Sequence, residues 1–175
     1  MIRDAMVYVP VWLALLGWFT GSLARFCDRG EPQSKAGRIY RASWFIGSLM
    51  IVLHILASYG LVHDWSHQAA IEATAEESER VTGIRAGWGV YVNFAFATIW
   101  LAYSIAMIVQ RFRMEAVDGF VFWFTAAIVF FATVVFETGL VRFSSIAGFF
   151  CLGIAWLRLP RSDRDPHLGS SRSGS

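Results

Sequence analysis

Residues 88–109, WGVYVNFAFATIWLAYSIAMIV, run for 22 positions without an Asp, Glu, Lys or Arg. The hydrocarbon core of a bilayer is about 30 Å thick, so a helix needs about 20 apolar residues to cross it, with its backbone groups satisfied inside the segment. The stretch therefore reads as a transmembrane helix, and three more runs free of charged residues occur at 5–23, 43–62 and 119–136. A fifth run, 143–159, is apolar apart from Ser144, Ser145 and Arg158. It follows the fourth after a short connection holding Glu137, Gly139 and Arg142, which predicts a tight antiparallel hairpin with Ser144 or Ser145 as cap. The expected fold is all-α, a polytopic bundle of five spans forming one transmembrane domain over residues 1–161. Four spans plus an interfacial helix is the alternative.

Composition agrees with this reading. Of 175 residues, 56% are apolar or aromatic and 16% charged, against about 45–50% and 25% in ordinary soluble domains. Lysine occurs once, and the apolar content is too high for a disordered chain or a soluble nucleic-acid binder. Cys27 and Cys151 are the two cysteines, too few for a disulfide framework or a cysteine-only metal site. Both are expected to be small apolar packing residues.

Charge placement gives an orientation, because cytoplasmic flanks carry an excess of Arg and Lys. Eleven basic residues fall in the first loop (25–41), the third loop (Arg111, Arg113) and the tail after the fifth span. The other side holds four, Arg3, Arg80, Arg85 and Arg142, beside seven acids including Glu72, Glu76, Glu77, Glu79 and Glu137. A multi-pass protein of a bacterial inner membrane, N-terminus outside and C-terminus cytoplasmic, fits this asymmetry. Ser22 and Ala24 are spaced like a signal-peptide cleavage site, but the segment before them is long and aromatic with a nearly neutral start, and cleavage would export the basic first loop. It reads as a retained span.

The connections differ in character. Residues 25–41 contain Gly30, Pro32 and Gly37 among five basic residues and are expected to be an irregular cytoplasmic loop that anchors the topology. Residues 66–80, SHQAAIEATAEESER, begin with a capping serine, are rich in Ala and Glu and stop just before Gly83, so they predict an outer-side helix with its glutamates in water. Residues 162–175 offer almost nothing to bury and read as a disordered cytoplasmic tail.

Polar residues at span edges are the functional candidates, since ionisable groups in a membrane are costly. His63 and His67, four apart in HDWSH, would share a face if the second span continued through them, and could then reach one metal ion. HDWSH also resembles the zinc-protease pattern HExxH with Asp in place of Glu, over five residues and with no third ligand identifiable. His54, nine residues earlier, would lie on the opposite face. Shared across a symmetric dimer, or with Met107 as the second ligand, it is the candidate haem ligand. With no carboxylate inside the expected spans and four histidines in all, a di-iron site is excluded. Under the five-span topology His63, His67, Tyr91, Asn93, Glu137 and Arg142 converge on the outer face. They form either a small polar pocket or an ordinary interfacial belt in which Glu137 pairs with Arg142 and Asn93 bonds helix to helix.

Three functions follow. The sequence leans away from an enzyme and toward a small accessory or scaffold protein. Its partners would be the bilayer and either a second copy or another membrane protein, through small-residue faces at Gly47 and along Ala95, Ala102 and Ala106. The alternatives are a metal- or haem-binding redox protein using His54 or His63 and His67, and a small-solute transporter or channel. No nucleic-acid partner is expected. A periplasm-active reporter fused at residue 70 should be active and one fused at residue 170 inactive; the reverse pattern overturns the orientation.

Overall fold

The computed structural model describes residues 2–28, 34–110 and 115–158, with side chains from residue 5 onward and excluding that of Glu115. Every described regular element is helical: α1 (Ile2–Cys27), α2 (Lys35–Leu61), α3 (His67–Thr82), α4 (Gly89–Gln110), α5 (Glu115–Phe130), which runs on as a π-helix (Phe131–Phe136), and α6 (Gly139–Arg158). Among them five are long and apolar enough to cross a membrane, the fourth being α5 with its π-helical end and the fifth α6, with 20 residues. The five-span expectation agrees with these lengths, α6 being long enough to cross like the other four. The expected tail at 162–175 lies outside the described residues.

The connections are shorter than the sequence suggested. The span expected at 43–62 begins at Lys35, because Ser34 accepts a hydrogen bond from the Gly37 amide (2.8 Å) and itself donates to Asp28 (2.6 Å). This N-cap starts the helix well before the basic residues end, so most of the loop expected at 25–41 is helical. At the other end of α2 the helix stops at Leu61, and the chain reverses through Asp64 and Trp65, both with positive φ (47° and 60°). His63 and His67 are therefore separated by a turn and are not one helical turn apart on a common face. Ser66 caps α3, accepting from the Ala69 amide, and all four of the helix's glutamates are exposed as expected.

The core is aromatic. Phe122 stacks on both Trp18 and Trp44, at centroid distances of 6.0 and 6.4 Å, and the Arg25 guanidinium lies 4.4 Å from the Phe122 ring. The Trp18 indole donates to Thr125 (3.1 Å). Helices α1 and α2 approach most closely where Gly17 faces Ser43 and Gly47: a Cβ on Gly17 would come within 2.7 Å of the Ser43 carbonyl oxygen. Small residues permit such backbone contact, from which membrane helices gain dispersion energy. Gly47 is thus used inside the chain and is not free for a partner. Cys27 and Cys151 are exposed, contrary to the packing role expected of them.

The expectation of spans without a carboxylate is also corrected. Helix α5 begins at Glu115, so Asp118 sits on it, 1% exposed. One carboxylate oxygen accepts from the Tyr40 and Tyr103 hydroxyls (2.6 and 2.8 Å) and the other from Arg25 Nε (2.7 Å). Asp118 thereby joins α1, α2, α4 and α5 at the end of the bundle opposite α3. Breaking a buried pair of this kind by removing one partner costs about 3–5 kcal/mol. Asp118→Ala should destabilise the protein near the lower bound, about 3 kcal/mol, since the Arg25 side chain is 18% exposed and retains some water. Tyr40→Phe should cost about 1–3 kcal/mol, the price of one lost buried hydrogen bond. Unfolding in detergent checks both, and an Asp118→Ala protein as stable as the parent would refute the role.

Candidate functional site

The opposite end, beneath α3, is built differently. A cavity of about 220 Å³ lies between the helices and takes lining from all five spans: Trp12 and Trp18 from α1, His54 from α2, Asn93 and Trp100 from α4, Val129 and Thr133 from α5 and its π-helical end, and Val141 from α6. Glu137, in the connection after the π-helix, also lines it. The floor is apolar, with Trp18 and Trp100 each 1% exposed. The Trp100 indole nitrogen is buried without a hydrogen-bond partner among the described residues. The polar residues lie toward the α3 end.

Each polar residue is placed by a local feature. His54 Nδ1 lies 2.9 Å from the Val7 carbonyl oxygen, which can only accept, so Nδ1 carries a proton and Nε2 of the neutral ring is left as an acceptor. Val7 neighbours Met6, whose carbonyl loses its helical donor to Pro10. Thr133 donates to the Val129 carbonyl (2.7 Å) within the π-helical turn. Single π-turns are frequent at functional sites, where they interrupt the regular α-helical ladder. Glu137 follows with extended backbone, and Gly139 with φ of 63° turns the chain into α6.

A second, smaller cavity of about 90 Å³ adjoins the first and shares His54, Ile55 and Asn93 with it. Its other walls include Ser58, Tyr59 and His63, with Ala70 and Thr74 of α3. His54 and His63, expected on opposite faces of one helix, thus border the same space, because the chain leaves helical geometry before His63.

The sequence candidates sort into three places. His67 bridges Tyr59 (Nδ1, 2.8 Å) and Tyr91 (Nε2, 3.1 Å) at the surface, joining α3 to α2 and α4. Asn93 and Glu137 line the cavity, and neither side chain has a hydrogen-bond partner among the described residues. Arg142 donates to the Val135 carbonyl (3.2 Å), and no Glu137–Arg142 ion pair is found among the described residues. On the exposed face of α3 a hydrogen bond from Arg80 holds the Glu77 carboxyl below its usual range, without contact to the cavity.

The chemistry available here is hydrogen bonding and charge. For a metal at His63 and His67, both ring nitrogens of His67 are already engaged by tyrosines, and among the described residues no three His, Cys, Asp or Glu side chains gather as a metal group. For a haem at His54, a cavity of about 220 Å³ is too small for a macrocycle, which does not fit without parting the helices. Sequence reasoning placed Asn93 and Glu137 together but missed Thr133 and Trp100. A threonine and a tryptophan in an apolar run carry no signal apart from their neighbours in space.

No protein family, curated protein or solved structure matches the chain. His67→Ala should release α3 from Tyr59 and Tyr91 and lose about 1 kcal/mol or less, as befits exposed hydrogen bonds. Amide exchange over residues 69–78 should quicken, and unchanged exchange there would show that packing alone holds the helix.

Proposed function

We propose that this membrane protein is a small accessory protein of the binding type rather than an enzyme, and that its α3 end faces outward. The observation that carries the reading is the cavity itself, a space reached by all five spans with an apolar floor and polar groups gathered at one end. Ligand sites are concave, mostly apolar and furnished with a few polar groups that fix orientation. The π-helical turn and the exposed Asn93 and Glu137 put a bend and polar groups at the mouth of this space. The outward orientation draws on charge: Arg25, Lys35, Arg38 and Arg41 cluster at the Asp118 end and Glu72, Glu76, Glu77 and Glu79 on α3.

A scaffold reading is favoured by one separate observation, the exposure of Ala95 and Ala102 along α4, a face on which a second copy could pack closely. Mass determination in detergent distinguishes a monomer from a dimer there, and Ala102→Phe should dissociate the dimer.

Native mass spectrometry of protein extracted from the membrane of its source organism tests the binding reading. A non-protein mass should be retained, and Val11→Trp, which fills the cavity from α1, should remove it while the protein stays folded and monodisperse. Absorbance and metal content of the same sample report on the haem and metal readings. A chain that emerges bare, colourless and metal-free, and binds nothing on reconstitution, refutes ligand binding.

A further inference from the structure

The seam between α1 and α6 changes along its length. Toward the Asp118 end it is shut. Phe19 lies against Gly148 so closely that a Cβ there would come within 2.6 Å of its ring, and Phe149 packs edge-on to Phe19 at 5.3 Å. Toward the α3 end, Tyr8 and Trp12 of α1 and Ala132 of the π-helix line the cavity and are also exposed on the outside of the bundle. The cavity thus opens on the outside of the bundle between α1 and the π-helical end of α5. From Tyr8 to Trp18 it follows α1 for ten residues, about 15 Å at 1.5 Å per residue. It runs along the length of α1.

The polar end of this space is rich in acceptors. The Glu137 carboxylate can only accept. His54 spends its one proton on Val7 and offers Nε2. Thr133 spends its hydroxyl proton on Val129 and offers the oxygen's remaining lone pair, and Asn93 can turn its amide oxygen inward. The nearby cation, Arg142, gives a hydrogen from Nη2 to the Val135 carbonyl, keeps Nε buried without a partner among the described residues, and is not part of the lining. A group that brings several donors and a positive charge complements such a set, and an ammonium, with three donors and no acceptor, is the simplest one. The polarity also runs as in a lipid leaflet, with the head at the helix ends and the tail toward the bilayer centre.

We propose that the ligand is a membrane-borne amphiphile with a primary amine head, which passes sideways from the bilayer between α1 and the π-helical end of α5. Its head meets Glu137, Asn93, Thr133 and His54, and its alkyl chain lies over the Trp18 and Trp100 floor. This rests on the reading of the cavity as a ligand site, and it adds the class of ligand and the route.

The test uses the full chain in nanodiscs of zwitterionic lipid with a decylamine carrying a photoreactive diazirine on its chain. Labelling should map to Trp12, Ala132 or Val141, and should be competed by decylamine about tenfold better than by decanol or decanoate, the margin expected for a charged hydrogen bond. Glu137→Gln should erase that preference, and Ala132→Trp, an exposed position, should block labelling while Glu137→Gln does not. Ethylamine, which stays in water, should not compete. If decanoate or decanol competes equally, the amine head is wrong. If ethylamine competes equally and Ala132→Trp has no effect, the ligand comes from water; the lateral route fails and the cavity remains a binding site. If the probe labels none of these residues and neither amine protects the protein against thermal unfolding, the inference fails; Val11→Trp losing a native mass would still uphold the binding site, and no such mass would remove that too.

Discussion

A carboxylate among aromatic rings in a membrane is tolerable only when partners replace the water it has lost, and the end of the bundle remote from α3 is organised to supply them to Asp118. Three helices other than its own each contribute one donor, Arg25, Tyr40 and Tyr103. Lipid gives helices no hydrophobic reason to prefer one neighbour over another, so specific polar contacts and close backbone approach must set their register. In this chain both occur along the same helix pair: Gly17 against Ser43 and Gly47, then Arg25 and Tyr40 meeting at Asp118. Phe122, one turn beyond Asp118 on α5, is held between Trp18 and Trp44 and under Arg25.

With one end fixed in this way, the other is free to be loosely packed. No comparable polar tie among the spans is found at the α3 end among the described residues. His67 joins α3 to α2 and α4 at the surface, and His54 joins α2 to α1 through a single backbone carbonyl. The cavity occupies the space that results. A division of this kind, a locked half and an accommodating half, matches what a binding site needs, since regions that adapt are drawn from the less stable parts of a fold.

The spans were legible in the sequence because membrane helices obey a length and polarity rule that ignores neighbours: runs without charge at 88–109 and 119–136 are helices in the structure, and so is the Ala- and Glu-rich stretch after Ser66. The same rule hid Asp118. A run counted from Gly119 treats the aspartate before it as the boundary of the span, when it is the residue that fastens the span to three others. Likewise Lys35, Arg38 and Arg41 read as loop because they are charged, although Ser34 had already capped a helix. The turn at Asp64 and Trp65 was not legible, since non-glycine residues with positive φ leave no compositional mark, and the error displaced His63 and His67 from their supposed common face. Of the site, Glu137 and Asn93 were found by assuming topology alone; Thr133, Trp100 and the cavity itself depend on how five helices lean together.

The π-helical stretch at the mouth of the cavity carries its own implication. Each of its i→i+5 turns holds more residues than an α-turn. The stretch therefore rotates the side chains after Phe130 away from the phase a continued α-helix would give them, and Thr133 lies on the cavity wall in that altered phase.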